Sequence, residues 1–171
     1  ELVGKERADS DEPFTQDEFV DFLRAFQKKH PEIDGKASLP FSLCMNLNYS
    51  TPLRGMYGMK YYYEEYGSFY HLTRDPKYLK MILFLNKLYR EGLLDKEWVV
   101  NRRALFSEKL AEGRVFATVC AYWDLDEDRS ALLENGGEDA CYYPYKVLGD
   151  RIDETETTYN ARNTLGWDGI A

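Results

Sequence analysis

Histidine is scarce in this sequence, with only His30 and His71 present. No run of 18 apolar residues occurs, so no stretch is built to cross a bilayer as a helix. Cys44, Cys120 and Cys141 lie far apart and form no C-x-x-C pair, which leaves zinc and dithiol motifs without support. All three read as small buried hydrophobes. There is no G-x-S-x-G elbow, H-E-x-x-H helix, P-loop or dinucleotide fingerprint. No nucleophile or general base is assigned, no cofactor or metal is expected, and the chain reads as a non-enzyme. Positive charge is also in deficit: 22 Lys and Arg face 30 Asp and Glu, a net charge of −8. That balance argues against nucleic acid or an anionic membrane as the main partner.

Aromatic residues are plentiful, with 14 Tyr, 9 Phe and 3 Trp. Tyr and Trp combine a flat apolar face with a polar edge. That chemistry suits sugar rings, which have C–H faces and hydroxyl rims, and it equally suits protein interfaces. The apolar and charged fractions, 44% and 30%, are those of a soluble globular protein, and 171 residues suffice for one core.

The stretch from Asp75 to Asp124 organises the rest. Asp75-Pro76 is a helix start, with Asp as cap and Pro at the first helical position. Tyr78, Ile82, Leu85 and Tyr89 follow at helical spacing, with Met81 and Leu88 beside them. Leu79, Leu83 and Phe84 add apolar surface elsewhere, so the helix is expected to be covered on more than one side. Gly92 stops it, and Gly113 stops a second helix in the same way. Val115 to Cys120 reads as a strand buried on both faces, hence central. Ala121-Tyr122-Trp123-Asp124 sits at its exit, where large flat side chains can line a cleft.

Before this stretch, residues 1–13 read as a polar terminal loop. Phe14 to Lys29 is a helix with a capping box from Thr15 and Glu18 and a staple between Phe14 and Phe19. Phe19, Phe22, Leu23 and Phe26 form its buried face. His30 to Ser38 is a solvated turn, and Leu39 to Leu43 a short strand. Tyr61, Tyr62, Tyr63, Tyr66 and Tyr70 form a tyrosine patch, with a strand near Ser68 to Leu72. Glu64-Glu65 is too closely spaced for the opposed carboxylates of a glycosidase. Beyond the stretch, Asp124 to Asn135 is a helix with an acidic first turn. Tyr142 to Leu148 is extended, and 149–158 is a loop.

Three segments together resemble carbohydrate-type solute-binding proteins of ABC importers, in the lipoprotein branch of extracellular solute-binding family 1. They are PFTQDEFVDFLRAF, YLKMILFLNKLYREGLLDKEW and FSEKLAEGRVFATVCAYWD. The family has a T-x-DEF…LKAF helix, a helix ending LNKLYKEGLID, a KLASGKVGM turn into a strand, and an aromatic segment facing the sugar. The closing GWDGIA is similar to the segment that precedes the family's return to its first lobe. The resemblance implies an α/β fold, helix-rich with a small mixed sheet, like one lobe of a type II periplasmic-binding-protein. We therefore expect residues 14–171 to be a single domain, the second lobe of a two-lobe receptor cut from a longer, lipid-anchored protein at the extracellular face of the membrane.

On that resemblance the partners are a small-molecule solute, an oligosaccharide above all, and ABC permease subunits. No direct insertion of this domain into the membrane is expected. Trp123 is the first candidate for stacking on a pyranose ring, with Tyr122 beside it. Strand alternation would let only one of the two face the cleft. Trp167 lies in a glycine-bearing tail. Tyr49, Arg54 and Tyr57 follow the strand that opens the cleft wall. Each has a plainer alternative: core packing for Trp123, a hydrophobic plug for Trp167, and a surface helix with packed tyrosines for residues 46–58. Two other functions stay open, a protein-interaction domain with an aromatic patch and a glycan-active enzyme fragment.

Overall fold

A computed structural model describes residues 5–8, 10, 12–45, 51–60, 62–120, 122–137, 140–153 and 155. The capping box forms as its sequence dictates. Thr15 Oγ1 accepts from the Glu18 amide at 3.2 Å, and the Thr15 amide donates to Glu18 Oε2 at 2.8 Å, starting helix α2 (Gln16–Lys29). Val20, Leu23 and Phe26 are its buried residues. The expected staple does not form as read. Phe14 packs edge-on against Phe22 at 5.1 Å, while Phe19 meets Phe41 at 5.5 Å. The reason is that Phe14 belongs to a strand, β1 (Phe14–Thr15), paired in parallel with β8 (Val147–Leu148). Nor is the N-terminal segment only a loop. Helix α1 (Lys5–Ala8) carries Arg7, whose guanidinium lies 4.2 Å from the Phe14 ring centre and donates to the Glu12 and Pro13 carbonyls.

The solvated turn is a hairpin of β2 (Glu32–Ile33) and β3 (Lys36–Ala37). Asp34 and Gly35 both have positive φ, as a two-residue hairpin turn requires. Next, β4 (Leu39–Phe41) pairs in parallel with β7 (Val115–Ala117), with Leu39 opposite Val115 and Phe41 opposite Ala117. On its other side Phe41 bridges Leu94. The Phe41 amide donates to Leu93 O, and the Asp95 amide to Phe41 O. The central strand is therefore β4, not the 115–120 segment, whose strand stops at Ala117. Among the described residues the small sheets are four two-stranded ladders, parallel and antiparallel, the remaining one being the hairpin of β5 (Tyr62–Glu65) and β6 (Ser68–His71).

Helix α3 (Thr51–Gly55) leads to α4 (Pro76–Arg90), capped by Asp75 as expected. Gly92 and Gly113 have positive φ just past α4 and α5 (Arg103–Ala111), the conformation of a helix-ending glycine. The buried side of α4 is Met81, Phe84, Leu85 and Leu88. Ile82 and Tyr89, expected inside, are exposed, as are Leu79 and Leu83. Helix α6 (Tyr122–Gly136) starts two residues earlier than its acidic run suggests. The main core combines α2, β4, α3, α4 and the Leu93–Leu94 segment. A satellite cluster of Cys44, Phe106, Leu110 and Val115 lies beside it. Together these elements form a mixed α/β, helix-rich lobe.

Candidate functional site

Parallel strands share one exit end, and in open α/β sheets that end is where ligands bind. β4 and β7 therefore deliver two chain segments to one place: residues 42–45 after β4, and residues 118–120, then α6, after β7. The Ser42 amide donates to Ala117 O at 3.2 Å and holds the exits together. Tyr122 and Trp123 form the first turn of α6, immediately beyond this end. Strand alternation does not apply to them, because their backbone is helical. Tyr49 and Trp167 lie outside the described residues.

Arg54 sits near the end of α3, half-buried. Tyr57 is placed otherwise than expected. It is 0% exposed, inside the main core, and its hydroxyl donates to Gln16 Oε1 at 2.6 Å. A side chain so enclosed offers no surface to a solute; it packs the wall from behind. Gly149 lies against it so closely that a Cβ there would come within 2.6 Å of the Tyr57 ring.

A buried polar network rigidifies the β4 exit. Asp95 Oδ2 accepts from Ser42 Oγ, Asn101 Nδ2 and Lys109 Nζ, each at 2.8 Å. Lys109 Nζ donates also to Asn101 Oδ1 at 2.8 Å and to Glu97 Oε2 at 3.0 Å, so its three protons all have acceptors. Asn101 Nδ2 reaches Leu43 O at 3.2 Å. Ser42, Asp95, Asn101 and Lys109 are all buried. Burial alone would raise the Asp95 carboxyl; the bonds from Lys109, Asn101, the Glu97 amide and Ser42 outweigh it and hold the carboxyl below the ordinary aspartate range. The Lys109 protons and both Asn101 amide protons are engaged within the network. Its work is to pin strand exit, linker and α5 into one piece. Sequence reading missed it, although a signal exists: Lys109 stands between the buried Phe106 and Leu110, on the apolar side of α5. A lysine there requires an acid inside.

The β7 exit differs. Among the described residues Thr118 Oγ1 is buried without a hydrogen-bond partner, as Ser38 Oγ is before β4. Its neighbourhood is held by Tyr142, whose hydroxyl donates to Val115 O at 2.6 Å. Burial, with Cys120 and Asp128 nearby, pushes the Tyr142 phenol far above its usual value, so it stays protonated. Arg103 and Asp128, 3.1 Å apart, tie α5 to α6.

The opposite, strand-entry end carries a shallow hollow of about 250 Å³ lined by Ile33, Asp34, Lys36, Glu112, Arg114 and Asn135. Three of its four charged residues pair together: Glu112 with both Lys36 and Arg114. Glu64 and Glu65 are exposed neighbours on β5 and so project to opposite faces. His71 caps the short turn at Leu72–Arg74 through its ring, and His30 caps α2 through its backbone. No group of three His, Cys, Asp or Glu able to hold a metal occurs among the described residues.

The candidate site is thus the strand-exit end of β4 and β7, with a buried polar network behind the β4 exit and the start of α6 at Tyr122 and Trp123 after the β7 exit. No family model matches the chain, and no solved structure matches it. Two curated proteins are similar. A protein of Bacillus subtilis named Lipoprotein LipO is 29% identical over 131 residues, which are 72% of this chain and 26% of that protein. An uncharacterized protein in the butB 5' region of Niallia circulans is 31% identical over 86 residues, 50% of this chain and 33% of that protein. The chain thus spans between a quarter and a third of the length of these relatives. Among the described residues no helix is long and apolar enough to cross a membrane.

Proposed function

We propose that this chain is the substrate-binding lobe of an ABC importer's solute receptor, held at the outer face of the membrane by a lipid anchor elsewhere in the parent protein. Its solute is a saccharide, taken into an aromatic-lined cleft between two lobes and passed to the permease. It binds and releases without chemistry. The observation that supports the reading is the shared exit end of the parallel strands β4 and β7, beyond which the chain enters α6 at Tyr122 and Trp123. Trp123 is the stacking residue of the proposed cleft. The similarity to a protein named a lipoprotein supports the anchored location. Hinge closure of a second lobe over this wall would exclude water and shift the open–closed equilibrium towards the liganded form.

A thermal-shift screen of mono- and oligosaccharides on the complete parent protein tests this. A ligand that binds only the folded state raises its apparent stability. We expect a shift with one saccharide class that disappears in Trp123→Ala. A shift with peptides or another solute class, and none with glycans, would overturn the sugar assignment. A second reading has its own support. Tyr66 is fully exposed and Phe69 is 75% exposed on the β5–β6 hairpin, which suits a protein-interaction surface. Under it, Tyr66→Ser with Phe69→Ser would abolish complex formation and leave any solute shift intact.

A further inference from the structure

Helix α4 is apolar on two sides, and only one of them is covered. Met81, Phe84, Leu85 and Leu88 face the core. At 3.6 residues per turn, Leu79 and Leu83 fall diametrically opposite. They are 61% and 59% exposed, with Ile82 and Tyr89 exposed along one flank. Lys80 and Lys87, seven residues apart, run along the other flank, and Arg90 continues the line of Leu79 and Leu83. A helix apolar all round is normally enclosed, so this outer face needs a cover.

Charge indicates which cover. The helix contains Lys77, Lys80, Lys87 and Arg90 and no acidic residue, in a chain of net charge −8. Lys80, Lys87 and Arg90 are exposed and make no ion pair among the described residues. The two acids at the helix ends are engaged: Asp75 accepts from Tyr63 and the Lys77 amide, and Glu91 pairs with Arg24 at 2.7 Å. Exposed leucines with a lysine flank are the pattern of a helix that lies in a membrane interface. The chain's overall negative charge does not forbid this. Charges more than a Debye length away, about 8 Å at physiological salt, are largely screened, so the face that meets the lipid decides.

We propose that the outer face of α4 docks on an anionic lipid surface, with the helix lying in the headgroup plane, Leu79 and Leu83 dipping towards the acyl chains, and Lys80, Lys87 and Arg90 meeting lipid phosphates. This rests on the membrane-tethered reading above and adds an orientation to it: the lobe lies against the bilayer instead of swinging on its tether. Contact through one helix face is weak alone and gains from the high local lipid concentration that a tether provides.

Vesicle flotation with this chain is the test, comparing phosphatidylcholine with phosphatidylcholine–phosphatidylglycerol mixtures at low and high salt. The protein is expected to float with the anionic vesicles at low salt only. Lys80→Gln with Lys87→Gln should lower the partition coefficient about 30-fold. Leu79→Ser with Leu83→Ser should abolish flotation while the thermal midpoint holds or rises, since neither leucine is in the core. No flotation of the unaltered chain, or flotation indifferent to both pairs, overturns the proposal. So does a dimer in size-exclusion chromatography that the Leu79→Ser, Leu83→Ser pair breaks, which would give the face to a second copy. The solute screen reports on the strand-exit end and not on α4, so either reading can fail while the other stands.

Discussion

Lys109 is the residue on which the β4 exit depends most. Removing one partner of a buried ion pair leaves the other charge uncompensated, at about 3–5 kcal/mol. Lys109→Met should therefore cost about 3 kcal/mol in urea unfolding, far more than an exposed lysine such as Lys87→Met. A loss below about 1 kcal/mol, the level of a surface pair, would contradict the network. The same pair gives the pH dependence a sign. The Asp95 carboxyl is held below its ordinary value in the folded chain. Its contribution is complete above the unfolded value, about 3.9, and is lost as pH falls through the lower folded value. The thermal midpoint should accordingly drop below about pH 4, and Lys109→Met should flatten that drop. Thr118 behaves in the opposite sense. Its hydroxyl is buried and, among the described residues, unpartnered, so Thr118→Val should leave stability unchanged or higher. If that hydroxyl serves a ligand after lobe closure, the same variant weakens solute binding in the parent by about tenfold, the worth of one hydrogen bond.

Elements that the sequence announces locally are those that form as read. The Thr15–Glu18 box, the Asp75-Pro76 start and the glycine stops at Gly92 and Gly113 need only a few neighbouring residues, and each is in place. Thr15→Ala should cost about 1 kcal/mol, measured by chemical denaturation. Gly92→Ala should cost about 1–2 kcal/mol, because a Cβ at positive φ is strained even where space is open. Gly149→Ala should cost more than Gly92→Ala for a different reason: its Cβ would overlap the Tyr57 ring, which has no room to retreat. What the sequence left ambiguous was long-range. Two apolar faces on α4 compete at the same period, and only packing into the shared core, with α3 alongside, selects Phe84 over Ile82. The pairing of β1 with β8, some 130 residues apart, has no local signal. Candidate-site legibility divides in the same way. The strand-then-aromatics order around Tyr122 and Trp123 was readable, with the helix beginning earlier than its acidic run implied. Tyr57 was read as a cleft residue because its place in the core depends on Gln16 and Gly149, which are distant in sequence.

At the scale of the whole molecule, the lobe is asymmetric. One end of its strand pair carries the ion pairs of Glu112 with Lys36 and Arg114; the other leads into α6 at Tyr122 and Trp123. The central claim is that the second end is the solute wall. Hydrogen–deuterium exchange on the complete parent, with and without the saccharide that gives the largest thermal shift, tests it most directly. Amides of residues 42–45 and 118–125 should slow on binding, while those of the 32–37 hairpin and of 112–114 should not change. Protection confined to the hairpin end, or to the 62–71 hairpin, would contradict the account and move the site to another face of the lobe.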